Sequence, residues 1–161
     1  MAESVKIPAE VTAKNEKYKI ILPQIKALVE GEEDLIANLS NIMAALKYSM
    51  NFFWVGIYFV KKNTLVLGPF QGPVACVRIF YGKGVCGTCW EKAATIIVPD
   101  VDAYPGHIAC SAESKSEIAV PVFMNGVVQA VLDVDSNAKA DFDETDAAHL
   151  NEIANLIGTL L

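Results

Sequence analysis

Cys110 lies within residues 106–117, Gly-His-Ile-Ala-Cys-Ser-Ala-Glu-Ser-Lys-Ser-Glu, a polar, turn-prone stretch between two strand-like runs, 95–98 and 118–124. In such a loop a cysteine is not needed to fill space, so its presence asks for a chemical reason. Cys76 and Cys86 stand beside glycine-rich turns upstream. Three thiols on the loops of one small domain suggest thiol redox chemistry or a metal site. Acids accompany them. Asp133 and Asp135 are two apart in Val131-Leu-Asp-Val-Asp-Ser136, so strand alternation puts both on one face. Carboxylates among such apolar neighbours cost free energy unless paired or hydrogen-bonded. Read structurally, they cap a strand end; read functionally, they form an acidic pocket that binds an amine and lifts a carboxyl pKa. Glu117 begins the adjacent hairpin arm, which lets all three acids converge near Cys110. An acid cluster raises a cysteine pKa, so it makes sense beside a thiol only where it also binds a cation or supplies a proton.

Three motifs compete for these residues. Gly82-x-Gly84-x-x-Gly87 has dinucleotide-binding spacing, follows a strand and opens a helix, with Asp100 after the next strand. It occurs once, its helix is barely two turns, and the downstream hairpin does not continue a parallel sheet; these facts weigh against a bound dinucleotide. The glycines still expose backbone N–H groups at a helix start, which suits a substrate carboxylate. Cys86-x-x-Cys89 with His107-x-x-Cys110 has permissible zinc spacing, but structural zinc usually staples a core-poor unit and this chain has ample core. No metal ligand is therefore assigned. Cys86-Gly-Thr-Cys89 resembles a redox pair, with Cys86 at a helix N-terminus where its thiol pKa would fall. The βαβ setting of thioredoxin-like domains is missing, and Cys89 reads better as a small buried helix residue.

The elements that must position these groups follow from the pattern. Residues 1–11 read as a loose leader, and 12–48 as two helices: Tyr18, Leu22, Ile25, Leu28 and Val29 recur at helical spacing, then Leu35, Leu39, Ile42, Met43 and Leu46. Pro23 predicts a kink or break in the first. Their expected role is core packing or a homodimer surface. Residues 49–161 complete a single domain: a strand over 52–60 and its hairpin arm 64–70, a strand over 76–81, a short helix over 88–94 and a strand over 95–98. Asn125-Gly126 then joins a second hairpin, 118–124 with 127–134. Asp143, with Asp146 three residues on, N-caps a last helix bearing Leu150, Ile153, Ile157 and Leu160. Hairpins at both ends of the strand region predict a largely antiparallel central sheet with packed helices, an α+β fold. With 53% hydrophobic residues, 20% charged and a net charge of −6, disorder and binding to nucleic acid or anionic membrane are disfavoured. No apolar run reaches the roughly 18 residues of a membrane span, no secretory leader is visible, and the expected location is cytoplasmic.

Taken together, Trp54-Val-Gly-Ile-Tyr58, Leu67-Gly-Pro-Phe-Gln-Gly72, Ala75-Cys-Val-Arg-Ile79, Gly84-Val-Cys-Gly-Thr88, Gly106-His-Ile-Ala-Cys110, Ser116-Glu-Ile118 and Leu132-Asp-Val-Asp-Ser136 closely resemble the free methionine-(R)-sulfoxide reductases, which are GAF-domain enzymes. The resemblance runs from about residue 49 to the end, and Cys89 lies outside the family pattern. It implies a GAF-like fold and reduction of free L-methionine (R)-sulfoxide to methionine. Cys110 would be the nucleophile and pass through a sulfenic acid, with Glu117 or an aspartate as proton donor. Cys76 would resolve it to an intramolecular disulfide, with Cys86 as an alternative. Thioredoxin, or a reductant of its type, would recycle the enzyme, with no bound cofactor. Asp133 and Asp135, with Glu117 beside them, would hold the substrate ammonium, and Trp54 and Tyr58 would line its methyl end. The alternative is a non-catalytic GAF module that binds a small ligand as a sensor.

Overall fold

The computed structural model describes residues 5–108 and 110–161 of the chain. Its elements run α1 (Lys14–Val29), α2 (Leu35–Met50), β1 (Trp54–Lys61), β2 (Thr64–Gln71), β3 (Arg78–Phe80), α3 (Gly84–Lys92), β4 (Ile96–Val98), a 3-10 turn (Val101–Ala103), β5 (Ser116–Met124), β6 (Val127–Ser136) and α4 (Glu144–Leu160). The six strands form one sheet in the order β3-β2-β1-β6-β5-β4, and every neighbouring pair is antiparallel. That is the α+β sheet the hairpins predict, and it leaves no parallel crossover for a dinucleotide fold.

Strand alternation divides the sheet into two faces with different tasks. Val55 and Ile57 on β1, Ile118, Val120 and Val122 on β5, and Ala130, Leu132 and Val134 on β6 pack beneath α1, α2 and α4 in the larger core. The intervening residues, Trp54, Tyr58, Ala119 and Val131, face the other way and pack with Val85, Cys86 and Cys89 of α3. The helix face holds the larger core, and the α3 face holds the smaller one. The Asn125-Gly126 turn closes the β5–β6 hairpin, with φ of 53° and 78° at its two central residues, as a type I′ turn requires, and an irregularity at Val122/Phe123 then shifts the register by one residue and sets this parity.

α4 starts as expected: Asp143 accepts from the backbone of Thr145 and Asp146, and the Asp146 side chain accepts from the Asp143 N–H in return. Buried Asp146 also accepts from Tyr18 Oη at 2.8 Å and Lys14 Nζ at 2.6 Å, which ties α1 to α4. Four expectations are corrected. Of the kink or break expected at Pro23, the break is absent: α1 continues through it as one helix, and the Gln24 side chain donates to the carbonyl of Ile20. Residues 5–11 are not loose, because Gln24 also accepts from the Lys6 N–H and donates to its carbonyl while Val5 and Ile7 pack against the core; residues 1–4 lie outside the described residues. The strand expected over 76–81 is only three residues long, and Cys76 precedes it in a loop. The helix expected over 88–94 begins at Gly84, whose φ of 61° lets the chain turn into it, so Cys86 sits in its first turn.

Candidate functional site

The site is built on two rows across the centre of the sheet. Trp54 of β1 lies opposite Asp135 of β6, which lies opposite Glu117 of β5; in the next row Gly56 faces Asp133, which faces Ala119. Gly56 is needed because the Trp54 indole lies over it: a Cβ there would collide with Trp54 Cη2 and come within 2.6 Å of Phe70 Cβ. The indole is thereby held flat between Phe70 and Tyr58, with ring centroids 5.5 and 6.1 Å away. Above these rows is a pocket of about 510 Å³ counted to its open mouth. Trp54, Tyr58, Cys86, His107, Cys110, Glu117, Asp133 and Asp135 all line it.

Two loops roof this pocket. The first leaves β2 at Gly72 and is pinned from below by the aromatic pair: Trp54 Nε1–H donates to the carbonyl of Pro73 at 3.0 Å, and Tyr58 O–H to that of Cys76 at 3.1 Å. These bonds hold residues 73–76 over the pocket, which is why they cannot extend β3. The second loop carries His107, Ile108 and Cys110, and Ala109 within it lies outside the described residues. Ile108 rests against Gly84 at the start of α3, where an added Cβ would meet its side chain at 3.3 Å. The loops are joined by a disulfide between Cys76 and Cys110, with Cα atoms 5.3 Å apart, inside the range a relaxed disulfide spans.

Electrostatically the pocket is acids without a cation. Among its lining residues His107 is the one basic side chain; its Nε2 lies 3.6 Å from Glu117 Oε2. Burial and then the charge of Asp135 push the Glu117 carboxyl up to about 8. Burial and the charge of Asp133 do the same to Asp135, against the opposing pull of Ser114 and His107. Asp133 is also raised, well above the ordinary carboxyl value, by burial and by Glu117, and its Oδ1 is buried without any hydrogen-bond partner among the described residues. Cys86 Sγ–H points to Glu117 Oε1 at 3.8 Å, and the Cys86 sulfur and the Glu117 and Asp133 oxygens lie within 4.8 Å of one another. Such a spacing suits one cationic group placed among them.

The three acids and Cys110 thus come together as their sequence positions suggest, Trp54 and Tyr58 join them as the resemblance implies, and Cys76 is bonded to Cys110. Cys86 differs from expectation in chemistry. At a helix N-terminus its thiol was expected to be acidic, but complete burial and the charges of Asp133 and Glu117 drive it well above the ordinary thiol value. Cys89 is buried on α3 beneath it, also raised by burial, and neither is in a disulfide. The zinc tetrad is not assembled, because Cys110 is bonded to Cys76. Sequence reasoning missed Gly56, Phe70 and Ser114 as parts of the site and weighed His107 only as a metal ligand. The signal for His107 was its place on the Cys110 loop; for Gly56 it was a lone glycine inside a strand, a mark of close approach.

Comparison with known proteins agrees with this geometry. The GAF domain family model matches residues 30–161. GAF domain-containing protein A of Dictyostelium discoideum is 53% identical over 158 residues, covering 98% of this chain and 99% of that protein. Free methionine-R-sulfoxide reductase of Saccharomyces cerevisiae is 42% identical over 153 residues, covering 89% and 85% respectively. A structure of free methionine-R-sulfoxide reductase from Neisseria meningitidis in complex with its substrate superposes with a TM-score of 0.93 at 48% identity, over 97% of this chain and 95% of that one.

Proposed function

We propose that this chain, which belongs to the GAF-domain family of free methionine-R-sulfoxide reductases, reduces free L-methionine (R)-sulfoxide to L-methionine with Cys110 as nucleophile. The observation that carries the reading is the buried carboxylate set Glu117, Asp133 and Asp135, with Asp133 Oδ1 unpartnered, beneath the Cys76–Cys110 disulfide. A free amino acid brings the ammonium such a set lacks, whereas a methionine sulfoxide inside a polypeptide has no ammonium to offer. Trp54 and Tyr58 supply the apolar wall for the methyl end. The uncapped backbone N–H groups at the start of α3, where Gly84, Val85 and Cys86 line the pocket, suit the substrate carboxylate.

The reaction balances as follows. The Cys110 thiolate attacks the sulfoxide sulfur, and the protonated Glu117 carboxyl gives its proton to the oxygen; methionine leaves and Cys110 becomes a sulfenic acid. The sulfoxide sulfur gains two electrons and Cys110 loses two. The Cys76 thiol then displaces water from the sulfenic acid to form the disulfide. Cys86 is the lesser candidate for that step, since a buried, protonated thiol is a weak nucleophile. A dithiol reductant of the thioredoxin type returns Cys76 and Cys110 to thiols by exchange. The test supplies the free R and S sulfoxides separately and follows NADPH consumption through a thioredoxin system. Turnover of the R epimer alone is expected, and none with either epimer, while methionine also fails to bind, would leave the chain a non-catalytic GAF domain.

A further inference from the structure

We infer that His107 is a positioning residue that orients the Glu117 carboxyl and returns the proton Glu117 gives up in each turnover. This rests on the reading of Glu117 as the proton donor to a sulfoxide oxygen. Three features of the pocket lead to it. Glu117 sits in the interior of a sheet row, flanked by Asp135 across β6 and Val98 across β4, and after donating its proton it is a buried anion beside two other acids. It must be reprotonated before the next cycle, and the route runs through its neighbours. Cys86 and Asp133 are buried, and the side chain that meets Glu117 from the loop side is the one base that lines the pocket. That is the His107 imidazole, with Nε2 at 3.6 Å from Oε2 and a side chain 13% exposed, against 8% for Glu117. An imidazole picks up and delivers protons in the neutral range.

The second feature is placement. His107 stands three residues before Cys110, and its N–H is anchored to the carbonyl of Tyr104 at 3.1 Å. The next residue, Ile108, is seated on Gly84. The same short segment therefore fixes the nucleophile, the imidazole and the contact to α3, so any motion of the Cys110 loop moves His107 relative to Glu117. The third is charge. The titratable groups that line the pocket with His107 are Glu117 from β5, at 3.6 Å, Asp135 and Asp133 from β6, Cys86 from α3 and the Tyr58 hydroxyl from β1, all acids. A protonated imidazole there stabilises the Glu117 anion left after oxygen protonation and then neutralises it by transfer. In balance, Glu117-COO⁻ plus imidazolium gives Glu117-COOH plus imidazole, and the imidazole regains its proton from water.

The experiment uses the full chain as wild type, His107→Gln and His107→Ala. Methionine release from free methionine (R)-sulfoxide is followed from pH 6 to 9, and the carboxylic C=O band assigned by Glu117→Gln is read by infrared difference spectroscopy on the oxidised protein. Both variants are expected to lose about 10- to 100-fold in turnover with KM little changed, and their pH profiles to move. Added imidazole is expected to restore His107→Ala in proportion to its concentration, and the Glu117 band of the variants to titrate at a different pH from wild type. Wild-type rates and pH profile in the variants overturn the inference. So does slow turnover with no imidazole rescue and an unmoved Glu117 band, which reduces His107 to a loop support. If wild type itself makes no methionine, the reaction reading fails, and the infrared arm still decides whether His107 governs Glu117.

Discussion

The acids of the pocket are read in two roles, and the roles predict different losses. Asp133 and Asp135 are read as ammonium ligands. Asn at either position keeps the size but removes a charge-assisted hydrogen bond worth about 1.5–3 kcal/mol, or roughly 10- to 150-fold in substrate interaction. Kinetics on dimethyl sulfoxide, which has no ammonium, should show a much smaller loss; equal losses on both substrates would take the aspartates out of amine recognition. Glu117→Gln, by contrast, removes the acid and should slow reduction of every sulfoxide by about 10²–10⁴-fold. The thiols sort by burial in the same way. Cys110→Ser should release no methionine in a single turnover. Cys76→Ser should release about one per enzyme and then stall. Cys86→Ser should recycle nearly as wild type, because its buried thiol sits well above the ordinary value and is poorly nucleophilic. A stalled Cys86→Ser with an intact Cys76 would reverse the order of resolution.

Strands place these residues, and the weak point of the arrangement is a residue with no side chain. Gly56 lies beneath the Trp54 indole, with no room for a Cβ. Gly56→Ala should push the ring out of its stack on Phe70 and Tyr58. It should destabilise the fold by about 1–3 kcal/mol as an overpacked site and raise KM more than it lowers kcat. Thermal melts with steady-state kinetics check this, and an unchanged KM would show that the indole does not shape the pocket. The sequence announced some of this and hid the rest for physical reasons. The β5–β6 hairpin was legible because Asn125-Gly126 is a local turn signal and period-2 alternation puts Asp133 and Asp135 on one face, but the irregularity at Val122/Phe123 that brings Glu117 opposite Asp135 left no mark in the pattern. The row from Trp54 through Asp135 to Glu117 was not, since β1 meets β6 across about 80 residues and nothing local fixes which residue faces which. Cys76 was misplaced for a related reason. Its Val- and Ile-rich surroundings read as strand, but the Tyr58 hydroxyl and the Trp54 N–H, distant in sequence, claim the carbonyls of residues 73 and 76.

The molecule as a whole carries the cost of this pocket in its stability, and the sign of that cost is testable. For most proteins carboxylates are lowered by folding; here Glu117 and Asp135 are raised to about 8 and Asp133 is raised as well, by burial first and then by one another. At low pH, below about 4, folded and unfolded chains both hold these protons and the penalty is absent. As pH rises, the unfolded chain releases them while the folded pocket retains its own. The unfolded state then binds fewer protons than the folded one, and stability falls by up to about 1.4 kcal/mol per pH unit for each raised acid. The fall levels off for Glu117 and Asp135 near pH 8, where they ionise in the folded state as well. Melts of the oxidised protein from pH 5 to 8 at fixed salt should therefore show Tm declining, and Asp133→Asn should flatten the slope, with all other titrating groups common to both. A cationic ligand favours the ionised pocket, so L-methionine should raise Tm more at pH 8 than at pH 5. N-acetyl-L-methionine, of similar shape but without the ammonium, should not. A Tm that climbs with pH equally in wild type and Asp133→Asn would mean that these acids are ionised without a ligand, and the pocket would then need a cation other than the ammonium of an amino acid.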